Sequence, residues 1–206
     1  MPGTTKGQRT ADELKAAALR VIARQGYLAA KITDITTEAG KAAGSFYRYF
    51  TDKDDLLRSI ADDFATALRA AVTAHAGREH GMDTEHDVAV HVQSYWDTYR
   101  EHLPAMTGIF EASLVSAEFS AQWERLRARH VAIWVAHLAD AWHAAPREIE
   151  HTALAIVCLL ERFCQVTLPT LAVDDDGRDA VDQLTRLIAH GILRPSGSSP
   201  DRATPL

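Results

Sequence analysis

Apolar residues recur every three or four positions along almost the whole chain, the spacing that lines one face of an α-helix. Leu14, Ala18, Val21 and Ile22 share such a face. Ahead of them Thr10-Ala-Asp-Glu13 has the spacing of a capping box, in which a hydroxyl and a carboxylate satisfy free amides at a helix start. Gly26 is the residue expected to end this helix in a left-handed conformation. A second short helix is predicted over 32–39 with Ile35 and Ala39 inward, and Gly40 lets the chain turn sharply after it. A third is predicted over 43–50, where Phe46 and Phe50, four apart, anchor it to the first and fourth helices. Asp52 then reads as the N-cap of a long fourth helix carrying Leu56, Ile60, Phe64 and Leu68 on one side.

The stretch Gly-Arg-Glu-His-Gly at 77–81 breaks the pattern. Beyond it, longer helices are predicted over 84–102, 104–115, 117–143, 146–169 and 175–192, with Pro104 and Pro146 at first-turn positions and a loop-and-cap signal at 174–177. The tail from 194 is rich in Pro and Ser and is expected to be disordered. No strand pattern and no internal repeat stand out. The predicted class is all-α: a three-helix helix-turn-helix domain over 1–55, a larger helical domain over 56–193 and the tail over 194–206.

Composition adds limits. At 206 residues, 47% hydrophobic and 24% charged, the chain is ordinary globular material. Cys158 and Cys164 lie six apart in one predicted helix, about 9 Å of rise, too far for a disulfide, and are expected to be buried thiols in a reducing compartment. The N-terminus lacks the apolar segment of a leader, and the longest uncharged runs fall short of a membrane span, so the expectation is a cytoplasmic protein without a membrane partner. Charge is uneven. Residues 1–60 hold ten Lys or Arg against seven Asp or Glu, a balance of +3 in a chain of −6, so the remainder carries −9. A basic first part on an acidic body points to an anionic partner for the first part alone.

Two short helices joined by a tight glycine turn make the helix-turn-helix unit, whose second helix enters a DNA major groove. Here that helix opens with small residues, Ala42, Ala43, Gly44 and Ser45, on the face that would approach the bases. Tyrosine hydroxyls and Lys53 suit phosphate oxygens, and Arg48 could reach a guanine edge or a phosphate.

Residues 10–57 resemble the N-terminal DNA-binding domain of the TetR family of transcriptional regulators. Ile32, Ile35, Ala39, Gly40, Gly44, Ser45, Phe46, Tyr47, Tyr49, Phe50, Lys53 and Leu56 stand in that family's order and spacing. Three positions depart from it: Thr36 replaces an alanine, Lys41 a valine, and Ala42 the serine that usually caps the recognition helix, while Lys31 stands where Thr or Ser commonly starts the second helix. The resemblance implies that Ala43, Gly44, Ser45 and Arg48 face the groove and that Lys31, Thr33, Tyr47, Tyr49 and Lys53 contact the DNA backbone. It also implies a homodimer formed through the last two helices, a palindromic operator and a small-molecule effector, with repression the commonest mode and no enzymatic activity or cofactor.

The body allows these roles. Leu154, Ile156, Val157, Leu159, Leu160, Phe163, Val166 and Leu168 surround most of one helix, and Val181, Leu184, Leu187, Ile188 and Ile192 give the last a broad apolar stripe, a width suited to a four-helix dimer seam. Tyr95, Trp96, Tyr99, Met106, Phe110, Trp123, Trp134, His137 and Phe163, with Trp142, are the candidates to line an effector pocket for a largely apolar ligand, His130 and His137 sharing one helical face. The competing class is a metal-dependent enzyme of the helical-bundle type, since Glu148-x-x-His151, Asp83-x-x-His86 and Asp140-x-x-His143 have the spacing of di-metal carboxylate sites. Those pairs fall at helix ends rather than mid-bundle, so no metal site is expected. A third reading is a ligand-binding protein whose DNA-binding part has decayed.

Overall fold

The computed structural model describes residues 6–76, 84–141, 144–172 and 175–192. Among these residues there is no β-strand, and the helices run in the order α1 (Lys6–Gln25), α2 (Ile32–Glu38), α3 (Ala43–Phe46), α4 (Lys53–Ala76), α5 (Glu85–Glu101), α6 (Leu103–Ser113), α7 (Ala117–Ala141), α8 (Pro146–Thr167) and α9 (Arg178–Arg186). A 3-10 turn follows α8 at Leu168–Thr170, and π-helical turns follow α9 at Leu187–Ile192. The break expected at 77–81, Asp83, Trp142, His143, Asp174 and the tail over 194–206 lie outside the described residues, as does the side chain of Leu68.

The chain forms two units, Met1–Arg78 with Thr98–Arg127, and Glu79–Asp97 with Ala128–Leu206. This cut differs from a linear division at 55/56, because α6 and the first part of α7 cluster with the N-terminal helices.

In the first unit Leu14, Ala17, Ala18, Val21, Ile35, Phe46, Phe50, Leu56 and Ile60 form one core that also takes in Ala105 of α6. The rings of Phe46 and Phe50 lie 5.7 Å apart, and burying side chains of this size stabilises by about 1.5–3 kcal/mol each. α1 begins at Lys6, so the expected capping box lies inside the helix. Glu13 instead pairs with Arg9 at 3.8 Å and Lys41 at 2.6 Å. The Thr-x-x-Glu spacing marks a start only where amides are otherwise unpaired, and inside a helix the i→i−4 bonds already take them. At α4 the cap expectation holds: Asp52 accepts the Asp55 N–H at 2.7 Å.

In the second unit the core is built from Val88, Val92 and Trp96 of α5, Trp134 and Leu138 of α7, Ile149, Ala153, Ile156, Val157, Leu160 and Cys164 of α8, and Val181, Leu184 and Ile188 at the end. Gly177, at φ +73°, sits against Trp96 so closely that a Cβ would fall 2.2 Å from its Cζ2. Burial pushes the Cys164 thiol up to about 12, whereas Cys158 is exposed, against the expectation of two buried thiols. Six helical residues turn the chain through about 600°, which leaves the two side chains about 120° apart around α8 and unable to share one core. By length and composition alone Pro146–Thr170 could cross a bilayer, with a mean hydropathy of 1.4. Counting uncharged runs missed this, because Glu161 and Arg162 interrupt the run. The helix instead supplies the largest share of this unit's core.

Candidate nucleic-acid interface

The α2–turn–α3 geometry follows from a few local signals. α2 ends in a Schellman motif: Gly40, at φ +63°, donates to the Thr37 carbonyl at 3.0 Å and Lys41 to the Thr36 carbonyl at 2.8 Å. The left-handed residue must be one without a Cβ penalty, which is why glycine stands there. α3 starts from Ala42, extended at φ −71° and ψ 147°, and no side chain caps it. The α-helix proper spans only four residues, shorter than the 43–50 expected, and the chain then turns with the Tyr49 and Phe50 amides both on the Phe46 carbonyl at 2.9 and 3.0 Å. A missing cap and a glycine at the second position both shorten a helix that packing alone must hold.

Phe46 provides that packing, and its neighbours face outward. Ala43 and Gly44 are exposed and Ser45 is half-buried. Tyr47 is 61% exposed with its ring edge-on to Phe46 at 5.5 Å, Arg48 is exposed, and Tyr49 is half-buried against the core. Lys31 and Thr33 are exposed at the start of α2, where Asp34 accepts the Lys31 backbone N–H at 3.1 Å. Among the described residues Lys31 and Arg48 have no acidic partner. Other basic residues of this unit are already engaged. Arg20 and Arg24 both hold Glu38, at 2.6 and 2.8 Å, and these hydrogen bonds, Arg20's first, keep its carboxyl below the ordinary value. Lys15 pairs with Asp63 at 2.7 Å.

The departures from the family pattern are accommodated within the fold. Thr36 is buried and its hydroxyl donates to the Thr33 carbonyl at 3.2 Å, so no polar atom is stranded. Lys41 exchanges an apolar contact for the ion pair with Glu13.

Lys53, read from the sequence as a phosphate contact, is directed inward. Its Nζ donates to the carbonyls of Tyr27 at 2.9 Å and Ala30 at 3.0 Å, and stands 4.3 Å from the centre of the Tyr27 ring. Desolvation lowers its pKa, opposed by the nearby charges of Asp54 and Glu111. The Tyr27 hydroxyl donates to Asp54, and burial with that bond raises the phenol's pKa. Tyr27, Asp54 and Glu111 were not singled out from the sequence; Tyr27 follows directly on the helix-ending Gly26, but no spacing marks the other two.

The nine pocket candidates divide between the units. Tyr99, Met106, Phe110 and Trp123 belong to the first, where Phe110 and Trp123 meet at 5.5 Å. Tyr95, Trp96, Trp134, His137 and Phe163 belong to the second. There Trp96 faces Phe163 at 6.3 Å, Tyr95 faces His130 at 5.1 Å, and the His137 and His91 Nε2 atoms lie 3.1 Å apart. An open groove of about 350 Å³ in this unit is lined by Glu85, His86, Ala89, Asp182, Thr185 and Arg186, and by none of the nine. Glu148, His151 and Asp140 are exposed, and among the described residues no group of three or more His, Cys, Asp or Glu is placed to hold a metal.

Two short helices at a glycine turn, packed on a third and presenting a small, exposed face, define a helix-turn-helix domain on an all-α body. Residues 14–60 match the family described as bacterial regulatory proteins, tetR family. Over 81 residues it is 37% identical to an uncharacterized HTH-type transcriptional regulator, YvdT, of Bacillus subtilis, a match that spans 39% of each chain. Its fold is similar to that of the fatty acid degradation regulator FadR of Bacillus halodurans, with a TM-score of 0.71 at 18% identity over 90% of this chain and 97% of that one. It is also similar to the FadR of Bacillus subtilis crystallised with stearoyl-CoA, with a TM-score of 0.66 at 15% identity over 88% of this chain and 98% of that one. A tetR-family regulatory protein of Rhodococcus RHA1 gives 0.69 at 22% over 92% and 98%.

Proposed function

We propose that the protein is a dimeric, ligand-responsive transcriptional regulator, a repressor released from a palindromic operator by a small, largely apolar effector. The observation that carries the DNA-binding part is the surface of α3. Gly44 has open space around it, and a Cβ there would meet nothing within 4 Å. A glycine inside a helix costs about 1 kcal/mol relative to alanine, and nothing within the chain requires one here. Its smallness is explained by a surface approaching from outside, with Arg48 just after α3 and Lys31 at the start of α2 free of acidic partners among the described residues and Tyr47 projecting. Ala43, Gly44, Ser45 and Arg48 are assigned to the groove, and Lys31, Thr33, Tyr47 and Tyr49 to the backbone.

Support for a dimer comes from the outer face of α8. Leu154, Cys158 and Val166 are exposed along one side of it, and Leu187 is 46% exposed beyond α9. A second copy of the same two helices would cover these positions about a two-fold axis. Two recognition helices related in this way face half-sites roughly 34 Å apart. For the effector, the aromatic supply of the second unit and the stearoyl-CoA held by one similar protein support a ligand with a long apolar part.

Selection of duplexes from a random DNA pool by the purified protein, followed by sequencing, tests this reading. An enriched palindrome is expected; enrichment of nothing by folded protein would refute it.

A further inference from the structure

We propose that Glu111 is a positioning residue for DNA binding: from α6 its carboxylate holds the α1–α2 turn that sets where α2 begins, in a clamp that Lys53 completes from α4. This rests on the DNA-binding reading of α2 and α3.

The turn spans Gly26 to Ala30: the Gly26 N–H still reaches the Ile22 carbonyl of α1 at 2.8 Å and the Ala30 N–H the Tyr27 carbonyl at 3.2 Å, while the Tyr27 and Leu28 amides turn to a side chain. Glu111 Oε2 accepts the N–H of Tyr27 at 2.7 Å and that of Leu28 at 3.1 Å. On the carbonyl side Lys53 Nζ takes Tyr27, Ala30 and, at 3.5 Å, Leu28. An anion from one helix thus grips the amides of the turn and a cation from another grips its carbonyls. Hydrogen bonds of this charge-assisted kind are about twice as strong as neutral ones. Between the two charges the turn has little freedom.

The carboxylate's approach is close. A Cβ on Gly26 would stand 2.8 Å from Glu111 Oε1 and 2.9 Å from Oε2, so the residue that ends α1 must be small for Glu111 to enter. α6 itself is seated directly on the helices it bridges. One turn before Glu111, a Cβ on Gly108 would come within 3.2 Å of Leu57 and 3.3 Å of Ile22, side chains of α4 and α1. Three residues after Leu28 the chain reaches Lys31, where α2 starts, and the Schellman turn then fixes α3 relative to α2. The direction of the recognition pair is therefore handed on from a turn that α6 holds. α4, continuous in sequence with the helix-turn-helix, is not the only element with a grip on it.

The test combines amide exchange with DNA binding, on full-length wild type, E111A and E111Q. Gln keeps an acceptor oxygen in place of the carboxylate; Ala removes it. In E111A the Tyr27 and Leu28 amides are expected to exchange at least about tenfold faster than in wild type, with the amides of Val21 and Ile22 unchanged. Affinity for a selected duplex is expected to fall about fivefold to tenfold, with the salt dependence unaltered because no phosphate contact is lost. E111Q should restore most of both. Should E111A fail to fold, E111D, which withdraws the carboxylate by one methylene, takes its place. Wild-type affinity in a variant whose turn amides are deprotected would overturn the positioning role, and unchanged exchange would overturn the clamp. A wild-type protein that binds no duplex would overturn the DNA-binding reading itself and with it the role given to Glu111.

Discussion

The helix-turn-helix and the second unit are made of the same material, apolar-striped helices, yet their geometry has different origins. Between Lys31 and Lys53 each change of direction is set by residues adjacent in sequence: Gly40 in its Schellman turn, Asp52 on the Asp55 amide. In the second unit the decisive contacts join distant positions, such as His91 with His137 and Gly177 with Trp96. The lesson is that a site carried by local backbone chemistry can be read from a short motif, whereas one made by tertiary packing needs the packing.

The sharpest way to break this comparison is to disturb each core separately. Phe46→Ala removes a fully buried ring from the first unit and should cost about 3–5 kcal/mol, measured as a lowered urea midpoint, with DNA binding lost. Gly177→Ala forces a Cβ into Trp96 at a left-handed position and should cost about 2–3 kcal/mol, read by tryptophan fluorescence during urea unfolding. If it proved neutral, the close approach to Trp96 would be wrong.

Lys53→Ala sharpens the contrast within the first unit. Loss of hydrogen bonds to a charged donor should destabilise by about 1.5–3 kcal/mol, while the slope of log affinity against log salt stays that of wild type. A slope reduced by about one would return Lys53 to the phosphate contacts. The smallest effect concerns Glu38. Its folded pKa lies below the ordinary 4.5, so its contribution to stability is present above that value and is lost as pH falls through the folded pKa. Glu38→Gln should unfold at lower urea than wild type at pH 7, and the gap should close below pH 4.5.

The all-α class, the order of the helices and the exposure of Tyr47 and Arg48 were legible because helical period and glycine position are local properties. The capping box at Thr10 was misread because its signal does not say whether the amides nearby are already paired. The contacts of Lys53 were not legible for a related reason: its charge and place suit a phosphate, and only the folded chain shows three carbonyls within its reach. The pocket candidates were a list of large side chains, all but Met106 with rings, and residue type alone does not say which unit each joins. Glu111 left no mark at all, since its partners lie 83 and 84 residues away.

The salt dependence of binding to a selected duplex, compared between wild type, Tyr47→Ala and Arg48→Ala, tests the central assignment most directly. Neither change should alter the free energy of unfolding by more than about 0.5 kcal/mol, since both side chains are exposed. Each is expected to weaken binding several-fold, Tyr47→Ala across sequences and Arg48→Ala with a relaxed sequence preference, and removing the Arg48 charge from the interface should lower the slope by up to about 0.9. Wild-type affinity and slope in both variants would contradict the placement of DNA on the face of α3.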